Sequence, residues 1–321
     1  MTNATANPAP PARSPARPRP PSAFAPAGAA VIGAYLRHLR ERREATPADA
    51  AHTIRTSPGA VRQMERGHIV HQWEAVAQLL RWHGVSEPVH QAVHTLVLQA
   101  GDDCTRRHST DAGAGWAERL NAVERQAVGM SVYASATVPP AFQTPAYAHA
   151  VGQMRSAAAQ QAHAARSMPM GHPSGYPVEL LLDQSILLRP VGESGVLTQQ
   201  FARLCQDAER GHAIVRVVPL DCPVAVPGVN LTELAMADCA TPVLYIQQTP
   251  FAATYSLGAE GQHRRLMDQI RDHAQTPERS LALVRQARAH LCDVTADPVP
   301  PPRSGLPIDS TGILTPTRKA R

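Results

Sequence analysis

The sequence predicts a multidomain chain: an all-α domain of five short helices at about 29–100, then an α+β domain at about 116–296, with disordered proline-rich tails. Three observations carry this. Apolar residues in the first block recur at helical spacing behind repeated N-cap signals. In the second block, helical spacing alternates with apolar runs of strand length. Both ends are proline-rich, with eight prolines in residues 1–28 and six in 297–321. Such a composition buries too little apolar surface to offset chain entropy.

In the first block, Ile32, Tyr35, Leu36 and Leu39 recur at i, i+3, i+4 and i+7, one helical face. Thr46-Pro47 then supplies an N-cap and a proline suited to the first helical position, with Asp49 at the third. Ser57-Pro58 repeats the device. Val76, Leu79 and Leu80 mark a helix ended by Gly84, and Val93, Leu96, Val97 and Ala100 mark a fifth. Gly101–Gly115 is rich in Gly, Asp, Ser and Thr and reads as a linker at 101–115, flexible enough to uncouple the blocks.

In the second block, helical spacing is expected over 118–133, around Leu197, Phe201 and Leu204, at Leu266, Met267 and Ile270, and behind Thr276-Pro277. Strand-length runs are Val178–Leu182, Ile214–Leu220, Leu231–Ala237 and Val243–Ile246, bounded by turn signals such as Gly171–Gly175 and Pro223–Gly228.

Composition narrows the functional classes. The 321 residues are 43% hydrophobic but 4% aromatic, so the cores rest on Ala, Leu and Val. No run of eighteen apolar residues exists, which excludes a membrane-spanning helix. The N-terminus lacks the apolar stretch of a secretory signal. Cys104, Cys205, Cys222, Cys239 and Cys292 are odd in number and scattered, which fits a reduced cytoplasm better than a disulfide framework. Among 31 basic residues only Lys319 is lysine, and the formal net charge is +5. Arginine is the better phosphate and guanine ligand. An Ala-, Arg- and Pro-rich usage is also what a GC-rich genome yields, so charge permits nucleic-acid binding without demonstrating it.

The informative segment is Pro47–Gly67, two short capped helices joined by three residues. Ala51 is small where the helices cross, and Ile54, Val61 and Met64 supply a shared core. Gly59, Arg62 and Gln63 fall on the opposite face. This is the helix-turn-helix arrangement, in which the second helix, here about 58–66, enters the major groove of double-stranded DNA. Arg62 suits guanine and Gln63 adenine. Free N–H groups at the helix starts, Pro47–Asp49 and Gly59–Val61, suit phosphates, so Thr46, Pro47, Ser57 and Gly59 are expected beside the DNA backbone. A generic helical bundle that binds no DNA explains the spacing as well.

The run Gly33-x-x-Leu36-Arg37-x-Leu39-Arg40 … Thr46 … Ala51 … Ser57 … Val61-Arg62-Gln63-Met64-Glu65-Arg66-Gly67 resembles the Cro/lambda-repressor (XRE) type of helix-turn-helix. The resemblance implies that Arg40 and Glu65 form a structural pair tying the first helix to the third. That family usually has glycine where this chain has Arg55; a left-handed arginine is strained by roughly 1 kcal/mol, so a different turn is expected here.

The second block carries Trp116, Glu124-x-x-Ala127, Tyr133, Val138-Pro-Pro-Ala-Phe-Gln-Thr-Pro-Ala-Tyr-Ala148, Leu181–Arg189, Val191-Gly192, Gln200–Leu204 and Val217-Val-Pro219. With the first block it resembles the antitoxin-like actinomycete regulators related to WhiJ, over about 30–290. Pro140-Ala141-Phe142 stands where members read Gly-Leu-Leu, and Gln247 where an acid is usual. The resemblance implies transcription regulation, often with a small partner protein, and no chemistry for the large domain. Gln143-Thr144-Pro145 reads as a helix cap or a ligand rim, the cap being favoured.

No cofactor, metal site or enzyme activity is expected. His290 with Cys292, and Cys104 with His108, lack the four ligands of a zinc site. Cys222 near His212 is not by sequence alone a catalytic thiol. The reading is a cytoplasmic regulator, expected to be a homodimer, with a large domain for sensing, partner binding or dimerisation. The alternative is an antitoxin-like module that sequesters a small partner and autoregulates through its helix-turn-helix. Arg13, Arg17 and Arg19 would give the 1–28 arm a sequence-independent attraction to DNA.

Overall fold

The computed structural model describes residues 26–69, 72–101, 108–153, 175–240, 242–257 and 261–296. The two tails, with Arg13, Arg17 and Arg19, lie outside the described residues apart from Pro26–Gly28, as do Cys104 and Gly171.

Five helices come first: α1 (Ala27–Arg42), α2 (Pro47–Thr53), α3 (Pro58–Glu65), α4 (Trp73–Trp82) and α5 (Glu87–Gly101). There follow β1 (His108–Asp111), α6 (Trp116–Glu124), β2 (Ala127–Ala134), α7 (Pro145–Gln153), β3 (Val178–Asp183) and the single turn α8 (Ser185–Leu188). The chain continues through α9 (Ser194–Glu209), β4 (Ala213–Val218), β5 (Asn230–Met236), β6 (Val243–Gln248), β7 (Ala253–Leu257), α10 (Gln262–His273) and α11 (Pro277–Ala296). Thr144 does cap α7: its hydroxyl accepts the Tyr147 N–H at 3.2 Å.

The strands form one seven-stranded sheet in the order β1-β7-β6-β5-β2-β3-β4. β2, β3 and β4 run parallel, and the other pairings are antiparallel. Side chains alternate across it with the period of two that a pleated strand imposes. Leu244 and Ile246 enter one core while Tyr245 enters another. Leu180 and Leu182 likewise oppose Leu181. On one face, Tyr133, Leu181 and Tyr245 pack under Met267 and Ile270 of α10. The parallel half of the other face is covered by Leu197, Phe201 and Leu204 of α9 and by Val284 of α11.

The antiparallel half of that second face is covered by the helical block itself. Leu234, Leu244, Ile246 and Tyr255 of the sheet share one core with Ile32, Tyr35 and Leu36 of α1 and with Trp116 and Leu120 of α6. Each such side chain contributes about 1.5–3 kcal/mol when fully buried. The described part of the expected linker, 108–115, is structured. It opens with the edge strand β1, His108–Asp111, paired antiparallel with β7 from His108↔Ser256 to Asp111↔Ala253; residues 102–107 lie outside the described residues. Four polar residues carry no apolar alternation, so only the pairing reveals the strand.

A buried ion pair holds the end of that segment. Arg119 of α6 donates from Nε and Nη2 to the two Asp111 carboxylate oxygens, both at 2.7 Å, with the side chains 0% and 1% exposed. Arg119 Nη1 also donates to the Ala114 carbonyl. Its guanidinium lies 5.8 Å from the ring centre of Tyr35, on α1.

A second expectation is corrected at 118–133. The helix stops at Glu124 and strand β2 begins at Ala127, with a register shift between Ala127 and Gly129. Val132 and Tyr133 fit helical spacing, but they point to opposite faces of a strand buried on both sides.

Candidate nucleic-acid interface

The α2–α3 segment is built from its caps inward. Thr46 Oγ1 accepts the Asp49 N–H at 3.2 Å, and Asp49 Oδ2 accepts the Thr46 N–H at 2.8 Å, a reciprocal capping box. The Thr46 hydroxyl proton also goes to Asp49 Oδ2, at 2.7 Å. That hydrogen bonding holds the Asp49 carboxyl below the usual carboxylate range. Ser57 Oγ accepts the Ala60 N–H at 3.1 Å, and Pro58 opens α3. Pro47 and Pro58 stand at first helical positions, where a missing N–H costs nothing.

The turn between the helices departs from expectation. Arg55 takes φ 51°, the left-handed conformation usually left to glycine. The Thr56 N–H then reaches the Ala51 carbonyl at 2.9 Å, which closes the turn. The tertiary packing of Ala51, Val61 and Met64 offsets the roughly 1 kcal/mol of strain.

On α3, Val61 and Met64 are buried, while Gly59, Arg62 and Gln63 are exposed. The helix seats on α1 by backbone contact. A Cβ on Gly33 would lie 2.4 Å from the Met64 carbonyl oxygen, so glycine is needed there. Gly67, at φ 69°, lets the chain leave α3 against Ala30. Arg40 of α1 donates to Glu65 of α3 through Nε at 2.6 Å and Nη2 at 2.9 Å, with side chains 11% and 8% exposed. Its Nη1 donates to the Ala45 carbonyl at 2.9 Å. The hydrogen bond to Glu65 raises the Arg40 pKa further. Arg40 and Glu65 are thereby turned inward, away from the exposed face that carries Arg62 and Gln63.

The tie between α3 and the large domain has no local signal in the sequence. The Ala240 N–H, in the β5–β6 turn, donates to the Arg66 carbonyl at 3.2 Å. Arg66 Nη2 meets Asp238 Oδ2 at 3.4 Å. Nearer α6, Glu118 pairs with Arg42 at 2.7 Å and with His38 at 3.7 Å. The neighbouring His38, then Arg42, keeps the Glu118 carboxyl below its ordinary range. Arg66 was legible as a motif residue, but its partner lies 172 residues away.

His212 faces Asp207 at 3.7 Å. Cys222 packs beside the core around Tyr133. Among the described residues, no group of three or more His, Cys, Asp or Glu is placed to hold a metal ion, and no helix is long and apolar enough to cross a membrane.

Comparison with known families gives two matches. Residues 31–93 match a family described as a helix-turn-helix domain. Residues 117–286 match one described as a domain of unknown function, DUF5753. No curated protein and no solved structure matches the chain. The order is therefore a helix-turn-helix domain, which points to DNA binding, followed by the larger domain.

Proposed function

The chain belongs to the DUF5753 family, and from that premise we propose that it is a sequence-specific, double-stranded-DNA-binding transcription regulator of the Cro/lambda-repressor (XRE) type. Arg62 and Gln63 on α3 read base edges in the major groove. Thr46, Pro47, Ser57 and Gly59 lie at the helix starts that face phosphates. Ser57 keeps its hydroxyl proton for a phosphate oxygen, whereas Thr46 meets one only by giving up its bond to Asp49. The single observation that carries the reading is the exposed Gly59–Arg62–Gln63 face on a helix whose other face is locked to α1.

The regulator acts in the cytoplasm as a homodimer on a two-fold site. One headpiece makes few contacts, and pairing half-sites about one helical turn apart supplies affinity. The sequence likeness to the WhiJ-related regulators supports a small partner protein bound by the larger domain. Because that domain shares a core with α1 and touches Arg66, what it binds is felt at the recognition helix.

The test is Arg62→Ala and Gln63→Ala in the full chain, against a duplex selected from random DNA and against random DNA itself. Each costs about 1–3 kcal/mol on the selected site and far less on random DNA. Equal losses on both duplexes would leave these residues as backbone contacts. Release of DNA on adding a co-purifying small protein would favour the antitoxin-like reading.

A further inference from the structure

A cavity of about 510 Å³ lies where the two domains meet, between α1, α6, the start of β2 and the β5–β6 turn. Its volume is in the range of small-molecule sites, and domain junctions are where such sites concentrate. Its accessible apolar surface is Val128, 52% exposed in a strand otherwise built into the sheet, with exposed Ala237 of the β5–β6 turn. Its rim is basic.

The rim charges balance except at one position. Arg37 is matched by Glu41 at 2.7 Å, Arg42 by Glu118 at 2.7 Å, and Asp238 by Arg66 at 3.4 Å. Exposed Arg125 lines the cavity and has no ion-pair partner among the described residues. An arginine fork presents paired N–H donors that match a carboxylate or phosphate. We propose that this junction cavity binds a small organic anion, its oxyanion group held by Arg125 and its apolar body resting on Val128 and Ala237.

Asp238 borders the cavity and belongs to the turn that holds Arg66, at the end of α3. An occupant there sits against the strap on the recognition helix. Resting on the DNA-binding reading above, the anion is an effector that changes DNA affinity, and by linkage DNA changes its affinity equally.

The experiment is calorimetric titration of the full chain with phenyl phosphate and with inorganic phosphate. Phenyl phosphate binds saturably, one per chain, and tighter than inorganic phosphate because its ring rests on Val128 and Ala237. Arg125→Gln weakens it about ten- to a hundredfold, and Arg189→Gln, at an exposed arginine after α8, leaves it unchanged. Saturating phenyl phosphate shifts the affinity for the selected duplex about fivefold or more.

Absence of saturable binding, or equal binding by the Arg125 variant, overturns the site. Loss of binding to every duplex in Arg125→Gln with anion binding intact makes Arg125 a DNA-backbone contact and also overturns it. Binding without a change in DNA affinity overturns the effector role. If the chain selects no duplex, the DNA-binding reading fails while the titration still decides the site.

Discussion

Replacing Asp111 with alanine removes one carboxylate from a strand that the sequence presents as linker. In the folded chain it leaves Arg119 fully buried and facing no counter-charge. Two charge-assisted hydrogen bonds of 2.7 Å are lost, and only carbonyl partners such as that of Ala114 remain. Breaking a buried pair from one side costs about 3–5 kcal/mol. For a cooperative unit of this size, about 2–4 °C per kcal/mol gives a fall in Tm of roughly 6–20 °C. Urea unfolding of the full chain gives the energy directly, and Asp111→Ala with Arg119→Met recovers most of it, because no unpaired charge then stays buried. A loss below about 1 kcal/mol for Asp111→Ala at unchanged m-value would refute the reasoning. Residues 108–115 would then be the tether that their composition resembles.

Gly33→Ala places a methyl group 2.4 Å from the Met64 carbonyl and should cost about 1–3 kcal/mol by overpacking; urea unfolding and affinity for the selected duplex should both fall. Glu65→Ala strands Arg40 at 11% exposure and should cost about 3 kcal/mol, read as a lower Tm of the full chain, whereas an unchanged curve would sink the pairing. His83 is held neutral by burial, and next by Arg43 and Arg40, with its pKa lowered to about 4. The unfolded chain takes up that proton below its ordinary value near 6.5, and the native chain only near 4. Stability should therefore fall as pH drops through that window, and His83→Gln should flatten the dependence of the urea midpoint between about pH 7 and pH 5.

The sequence by itself determined what local chemistry decides. Thr46-Pro47 and Ser57-Pro58 carry cap and first-turn residues in adjacent positions, so the starts of α2 and α3 needed no tertiary information. Helical period alone puts Arg62 and Gln63 on the exposed face, since the spacing of Val61 and Met64 sets the buried one. β3, β4, β5 and β6 are legible because each is a short apolar run of strand length, again a local pattern. Tertiary structure decided the rest, wherever a partner lies far along the chain. β1 is a strand only because β7 pairs with it. β2 is a strand although Val132 and Tyr133 fit a helix, since both sheet faces bury their residues there. Arg55 accepts a left-handed φ because the packing around Ala51 and Val61 outweighs the strain of one residue. Above all, the apolar antiparallel half of the sheet needs a cover, and α1 with α6 supplies it. The joint between the domains is therefore a shared core, which no local pattern in 101–115 records.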